Sequence, residues 1–259
     1  MQLNLNADLG ESFGAWPMGD DANLLQLVDS ANVACGFHAG DPLVMSQTLC
    51  LAREHKVSVG AHPGFPDLQG FGRRQIHLSE AETHAMVMYQ LAALQGMAHA
   101  HDHRMTHVKP HGALNNMACE DRKLADCIVS SVKQFDASLI FLAPVLSQLE
   151  AAADAAGLPV AREIFADRAY TDSGALVSRR EPGAVLSNAD ECIEHIRRMI
   201  DAQGIVTLSG KALKTEFQSI CVHGDNAHAV DTAGRIRKSL IADGHQLCAL
   251  PELLNPDNS

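Results

Sequence analysis

Residues 31–42 read ANVACGFHAGDP, and three signals are packed into those twelve letters. An apolar run ends near Cys35, a histidine stands between two turn glycines, and Asp41-Pro42 opens a helix as N-cap and first helical residue. The segment is therefore a strand, a tight turn and a helix start. The same alternation extends outward in both directions. Strands are predicted at Gln2–Ala7, Asn32–Cys35, Val57–Ala61, Met105–Lys109, Leu139–Ala143, Val160–Phe165, Ser219–Val222 and Gln246–Leu250. Helices are predicted at Asp41–Lys56, Ser79–His101, Asp121–Lys133, Leu146–Ala156, Asn188–Ala202 and Ala227–Asp243, the second opened by a capping box of Ser79 and Glu82. Strands alternating with helices make βαβ units and a parallel sheet. Seven or eight units with no linker-like shift in composition predict an α/β fold: one (β/α) barrel domain spanning residues 1–259, closed or nearly so. A doubly wound open sheet is the alternative. Residues 167–187 lack a period and are expected to form a long loop or a small β excursion.

Composition narrows the function. Apolar residues make up 46% and charged residues 20%, a balance typical of soluble globular chains. The net charge of −11, with no cluster of Lys or Arg to offset it, speaks against nucleic acid as a partner. No stretch approaches the roughly 18 apolar residues of a membrane span, and MQLNLNADLGE lacks the basic flank and apolar core of a signal peptide. A cytoplasmic protein is expected. The seven cysteines are scattered with no C-x-x-C pair, so neither a disulfide framework nor a thiolate zinc site is indicated.

In a parallel α/β sheet the reactive end is the carboxyl end of the strands. Asp8 follows the first predicted strand, His38 the second and His62 the third; Lys109 and His111 end the fourth. Asp167 and Arg168 follow Val160–Phe165, and His223 and Asp225 follow Ser219–Val222. Six strands thus deliver ionisable side chains to one end.

Any one of fourteen histidines is more often structural than reactive. His99, His101 and His103 in AHAHDH resemble a metal tract, but they sit near a predicted helix end and read as solvated residues favourable to its C-terminus. His55, His84, His195, His228 and His245 lie in or beside helices and get the same bland reading, while His77 belongs to a loop. His38, His62, His111 and His223 differ because glycine or proline flanks each one, and glycine permits close approach of backbone to ligand. Histidine and aspartate supply acid–base groups or metal ligands. Asp8, His38 and His62 form a candidate divalent-metal set, weakly signalled because no local H-x-x-x-H pair supports it. Lys109 offers positive charge to a carboxylate or developing oxyanion, and Arg73 and Arg74 a bidentate anion grip or simply a solvated loop. GIVTLSGKA at residues 204–212 is not a P-loop: five residues separate its glycines, and Ala212 follows Lys211 where Ser or Thr would hold Mg²⁺.

NADLGES, ANVACGFHAGDP, GAHPGFPDLQGFGRR, HVKPHGALNN, FADRAY and CVHGDN, in that order, resemble the LamB/YcsF family from Asn4 to about Leu250. One departure is an asparagine ahead of Asn116, where the family pattern HGALYN has tyrosine. The resemblance implies a (β/α) barrel related in general shape to polysaccharide deacetylases. It implies the work of the A subunit of an ATP-hydrolysing 5-oxoprolinase, opening the lactam of 5-oxoproline to glutamate beside separate subunits B and C. ATP, bound mainly by the partners, and a divalent metal such as Mg²⁺ are the cofactors to expect. On that reading Asp8, His38 and His62 act as acid–base or water-orienting groups, and Lys109 and His111 stabilise negative charge. Arg73, Arg74, Asp167, Arg168, His223 and Asp225 then bind substrate. Two rivals stand beside it: a metal-dependent deacetylase or amidohydrolase acting alone, and a non-catalytic ligand-binding subunit.

Overall fold

In β1 (Gln2–Leu9) Asn4, Asn6 and Asp8 alternate with Leu3, Leu5, Ala7 and Leu9, and both sets are largely buried. A strand with two buried faces of opposite chemistry fits a barrel wall whose inside is polar and whose outside is covered by helices. A computed structural model, describing residues 1–222 and 229–254, has this arrangement. Seven strands run parallel in the order β1, β2 (Ser30–Ala34), β3 (Ser58–His62), β4 (Met105–Val108), β5 (Ile140–Pro144), β6 (Val160–Phe165) and β9 (Ser219–Val222). Pairing of Asn4–Ala7 with Ser219–Val222 closes the ring.

The main apolar core lies between barrel and helices. Leu3, Leu5, Val33, Val59, Phe141, Ile164 and Ile220 point outward onto α2 (Pro42–Glu54), α3 (Glu80–Ala100), α5 (Arg122–Phe135) and their neighbours, burying Leu49, Leu91, Leu94, Ile128 and Val132. Inside the barrel a parallel sheet normally carries branched apolar residues; here only the base does, where Ile140, Leu142 and Ala161 meet Leu250. Above them stands a column of hydrogen bonds. Asn4 Nδ2 donates to Ser30 Oγ at 2.8 Å, and Ser219 Oγ donates to Asn4 Oδ1 at 2.7 Å. Asn6 Nδ2 donates to Glu163 Oε1 at 2.9 Å, and Asn32 Nδ2 to Asn6 Oδ1 at 2.7 Å. His107 crosses the same interior, its Nε2 3.0 Å from Asn32 Oδ1. Gly60 makes room for that ring: a Cβ there would sit 2.2 Å from His107 Cδ2.

The caps predicted for α2 and α3 form. Asp41 accepts from the amides of Leu43 and Val44, with Pro42 in the first turn, and Ser79 and Glu82 close a reciprocal capping box. Residues 167–187 hold two short β bridges, Arg168 with Val185 and Tyr170 with Leu176. The expected strand at Gln246–Leu250 is corrected. Only Gln246–Leu247 pairs, as β10, with the first residues of β1, and Leu250 already begins α9 (Leu250–Leu254), which plugs the base. The remaining elements are α1 (Asp21–Leu24), α4 (Gly112–Glu120), α6 (Gln148–Ala156), α7 (Ala189–Ala202), the hairpin of β7 (Gly204–Val206) with β8 (Ala212–Lys214), and α8 (Ala229–Ala242). Neither α4 nor the hairpin is among the elements expected from the sequence. No helix among the described residues is long and apolar enough to cross a membrane, and all seven cysteines are free.

Candidate active site

At the carboxyl end of the strands a cavity of about 660 Å³ opens over the polar column. Its floor is built in two halves. In the first, Lys109 follows β4 and is 3% exposed; its Nζ lies 3.1 Å from Asp8 Oδ1 and 3.0 Å from Glu163 Oε1. Asn32 Nδ2 donates to the same Asp8 oxygen at 2.9 Å, so the interior column aims the carboxylate upward. Burial opposes the charge on Lys109, but Asp8 and Glu163 outweigh it and carry the pKa above that of an ordinary lysine. Burial pushes Glu163 up, with Lys109 pulling against it.

The second half is a group of imidazoles. His62 Nδ1 lies 2.7 Å from the Lys109 carbonyl, and His111 Nε2 lies 2.8 Å from the Phe71 carbonyl. A carbonyl only accepts, so both of those ring nitrogens carry hydrogen. The other two, His62 Nε2 and His111 Nδ1, face one another 2.9 Å apart. Asp8 Oδ2 is 3.4 Å from His62 Nε2, and Glu11 Oε1 is 3.7 Å from His111 Nδ1. His38 stacks flat on His111, centroids 3.6 Å apart, and its Nε2 lies 3.4 Å from Glu11 Oε1. Burial first, then neighbouring His62, pushes His111 down to about 3; burial and His111 hold His38 well below its usual value. Gly72, at φ +61°, lets the loop after β3 close over these rings, since a Cβ there would come within 2.8 Å of both His38 and His111. Ligand atoms from Glu11, His38, His62 and His111 all lie within 4.8 Å of one another.

The walls are cationic. Arg73, Arg168, Arg179 and Arg180 all border the cavity. Arg168 also holds its own loop, donating from Nη2 to the Val177 carbonyl at 2.6 Å. Burial lowers its pKa to about 10, which leaves it charged at neutral pH.

The LamB/YcsF family model matches residues 3–255. The chain belongs to the LamB/YcsF family. Among curated relatives, the A subunit of the 5-oxoprolinase of Azoarcus sp. (strain BH72) is 58% identical over 98% of this chain and 99% of its own length. Among solved structures, the lactam utilization protein from Thermus thermophilus superposes with a TM-score of 0.91 at 41% identity, over 96% of this chain and all of that one. The catalytic domain of a peptidoglycan N-acetylglucosamine deacetylase from Eubacterium rectale gives a TM-score of 0.51 at 10% identity, covering 96% of this chain and 88% of that one, a likeness of fold alone.

On this LamB/YcsF barrel the structure brings Asp8, His38, His62, Lys109 and His111 together, with Arg73 and Arg168 beside them. Arg74 instead pairs with Asp67, its side chain 64% exposed, and is not among the residues bordering the cavity; nor is Asp167. His223 and Asp225 lie outside the described residues. The AHAHDH tract disperses: His101 contacts Ser46 and Cys50, and His103 reaches the Val57 carbonyl. Sequence reasoning missed Glu11, which replaces Asp8 in the tight ligand group. It is the second carboxylate of NADLGES, just past the end of β1, and that position is the signal that could have found it.

Proposed function

We propose that this chain is the lactam-opening subunit of an ATP-dependent 5-oxoprolinase, acting in the cytoplasm with separate B and C subunits. The observation that carries the reading is the union, in one cavity, of buried acid–base groups with a wall of arginines. Relatives named for 5-oxoprolinase and lactam utilization support it. A lactam is a poor electrophile, so the ring carbonyl needs activation before water can add. Phosphoryl transfer from ATP to the lactam oxygen, shared with the partner subunits, supplies it. Water then adds to the ring carbon, the C–N bond breaks as the ring nitrogen takes a proton, and a second water releases phosphate from the resulting acyl phosphate. The products are glutamate, ADP and phosphate.

Each residue has a task in that sequence. Asp8, aimed by Asn32 and Lys109, takes the proton of the attacking water. His62, with its Nε2 3.4 Å from Asp8 Oδ2, and His111 beside it orient that water through its other hydrogen. His38 keeps the His111 ring in place by stacking, and the proton that Asp8 took from the water passes to the leaving nitrogen. Lys109 offsets negative charge on the acyl group, while Arg73 and Arg168 receive the substrate carboxylate and phosphoryl oxygens. The test is glutamate formation from 5-oxoproline and ATP by the three subunits together. Asp8→Asn is expected to lower kcat by about 10²–10⁴-fold, the usual worth of a general base, with ATP binding by the partners unchanged. Glutamate formed without ATP, or full turnover by the Asp8→Asn complex, overturns the reading.

A further inference from the structure

We infer that His62 Nε2, His111 Nδ1 and Glu11 Oε1, with His38 Nε2 beside them, form a site for a divalent cation of the zinc class. The carrying observation is the convergence of these four buried ligand atoms, all within 4.8 Å of one another. Both imidazoles have their hydrogens committed elsewhere, to the carbonyls of Lys109 and Phe71, at 2.7 and 2.8 Å. What remains is His62 Nε2 and His111 Nδ1, 2.9 Å apart in a buried place. One positive centre, a metal ion or a single proton, holds two such nitrogens together, and the nearby carboxylate and third imidazole favour the ion. Two nitrogens bound to one tetrahedral ion at about 2.0–2.1 Å stand about 3.3 Å apart, so a few tenths of an ångström of ring movement makes the site.

The surroundings match what a metal needs. A histidine ligand commonly gives its second ring N–H to a carbonyl or carboxylate, which fixes tautomer and orientation, and both rings here do so. Glu11, 8% exposed, brings negative charge within 3.4 Å of His38 Nε2 and 3.7 Å of His111 Nδ1. Asp8 is held by Lys109 and Asn32, a step outside the ligand group, where it can accept a proton from a bound water. The donor set also selects the ion. Imidazole-rich sites suit Zn²⁺, Co²⁺ or Fe²⁺, whereas Mg²⁺ favours oxygen donors and keeps its waters. The Mg²⁺ expected from the family resemblance therefore does not fit these residues. An ion here would also be the occupant of the point assigned above to the attacking water, but the site rests on its own geometry and is measured by binding.

The test uses the tag-free full chain, stripped with a chelator and titrated with Co²⁺ and then Zn²⁺. The expected result is about one ion per chain, with visible Co²⁺ bands of nitrogen-and-oxygen coordination that Zn²⁺ displaces and Mg²⁺ does not. Saturating Zn²⁺ should raise Tm, because the folded state alone holds the ion. His62→Ala and His111→Ala should abolish the bands, Glu11→Gln should weaken binding about tenfold or more, and His99→Ala should change nothing. Circular dichroism checks that each variant folds; Glu11→Gln, which keeps size and shape, serves if a histidine variant does not. Less than a stoichiometric ion in the wild type overturns the site, as would a shared proton between His62 and His111 seen by nitrogen NMR in the presence of Zn²⁺. Bands that survive in His62→Ala and vanish in His99→Ala also overturn it. A chain that binds the ion but never yields glutamate with its partners would overturn the proposed reaction and leave the site standing.

Discussion

His107 shows how a single residue couples the interior to solution conditions. It is fully buried between Thr106 and Asn32, and burial, followed by Lys109, lowers its pKa from 6.5 to about 3. Between those values the unfolded chain binds a proton that the folded chain refuses, so stability is complete above pH 6.5 and falls as acid is added. At pH 5 this one group should cost about 2 kcal/mol. Urea unfolding at pH 7 and pH 5 checks it: His107→Gln, though less stable throughout, should show a smaller decline by about that amount. A decline equal to the wild type's would show that His107 is not the source. At this scale much was legible in the sequence. A histidine or lysine just past a strand end marked His38, His62, Lys109 and His111, because the topology sends every strand end to the same place. The choice between Asp8 and Glu11 as partner of the imidazoles was not legible, since it depends on which way a loop turns after the strand. His107 was hidden for the opposite reason: it lies within a strand, where periodicity sees only an interruption.

Among the elements, α2 carries the clearest single anchor. Asp41 Oδ1 accepts from Leu43 and Val44, while its Oδ2 accepts from Gly14 at 2.8 Å. One carboxylate thus caps the helix and pins the loop that leads from β1 and Glu11. Asp41→Ala should cost about 1–2 kcal/mol in a denaturant melt, and the Co²⁺ bands should broaden as Glu11 loses its tether; a loss of stability with unaltered bands would separate the two roles. The α2 and α3 caps could be read because they are local chemistry, a side chain and an amide a few residues apart. The β7–β8 hairpin escaped because GIVTLSGKA reads first as a failed P-loop, although Gly210 at φ +89° turns the chain there. Helix α4 escaped because HGALNN, rich in glycine and asparagine, reads as a loop, and its N-cap His111 makes no side-chain capping bond.

At the level of the whole molecule, the oily layer and the reactive column are separate structures sharing one wall. Leu250 tests that separation from below. It is fully buried against Ile140, Leu142 and Ala161 at the base of the barrel. Leu250→Ala should destabilise by about 2–5 kcal/mol, read by urea unfolding, while Co²⁺ affinity stays within twofold; a matching loss of affinity would show that base and mouth are not independent. The barrel was legible as a count of βα units. Its polar interior was written in the Q-L-N-L-N-A-D of the first strand, but alternation alone does not say that both faces are covered. That column also has a history. Asn6 and Ser219 are 213 residues apart, and their bond forms only where β1 meets β9. During synthesis the first strand therefore waits, its amides wet, until the last barrel strand has emerged. Only then does the ring close around the column, so the floor beneath Asp8 is complete only once β9 has joined β1.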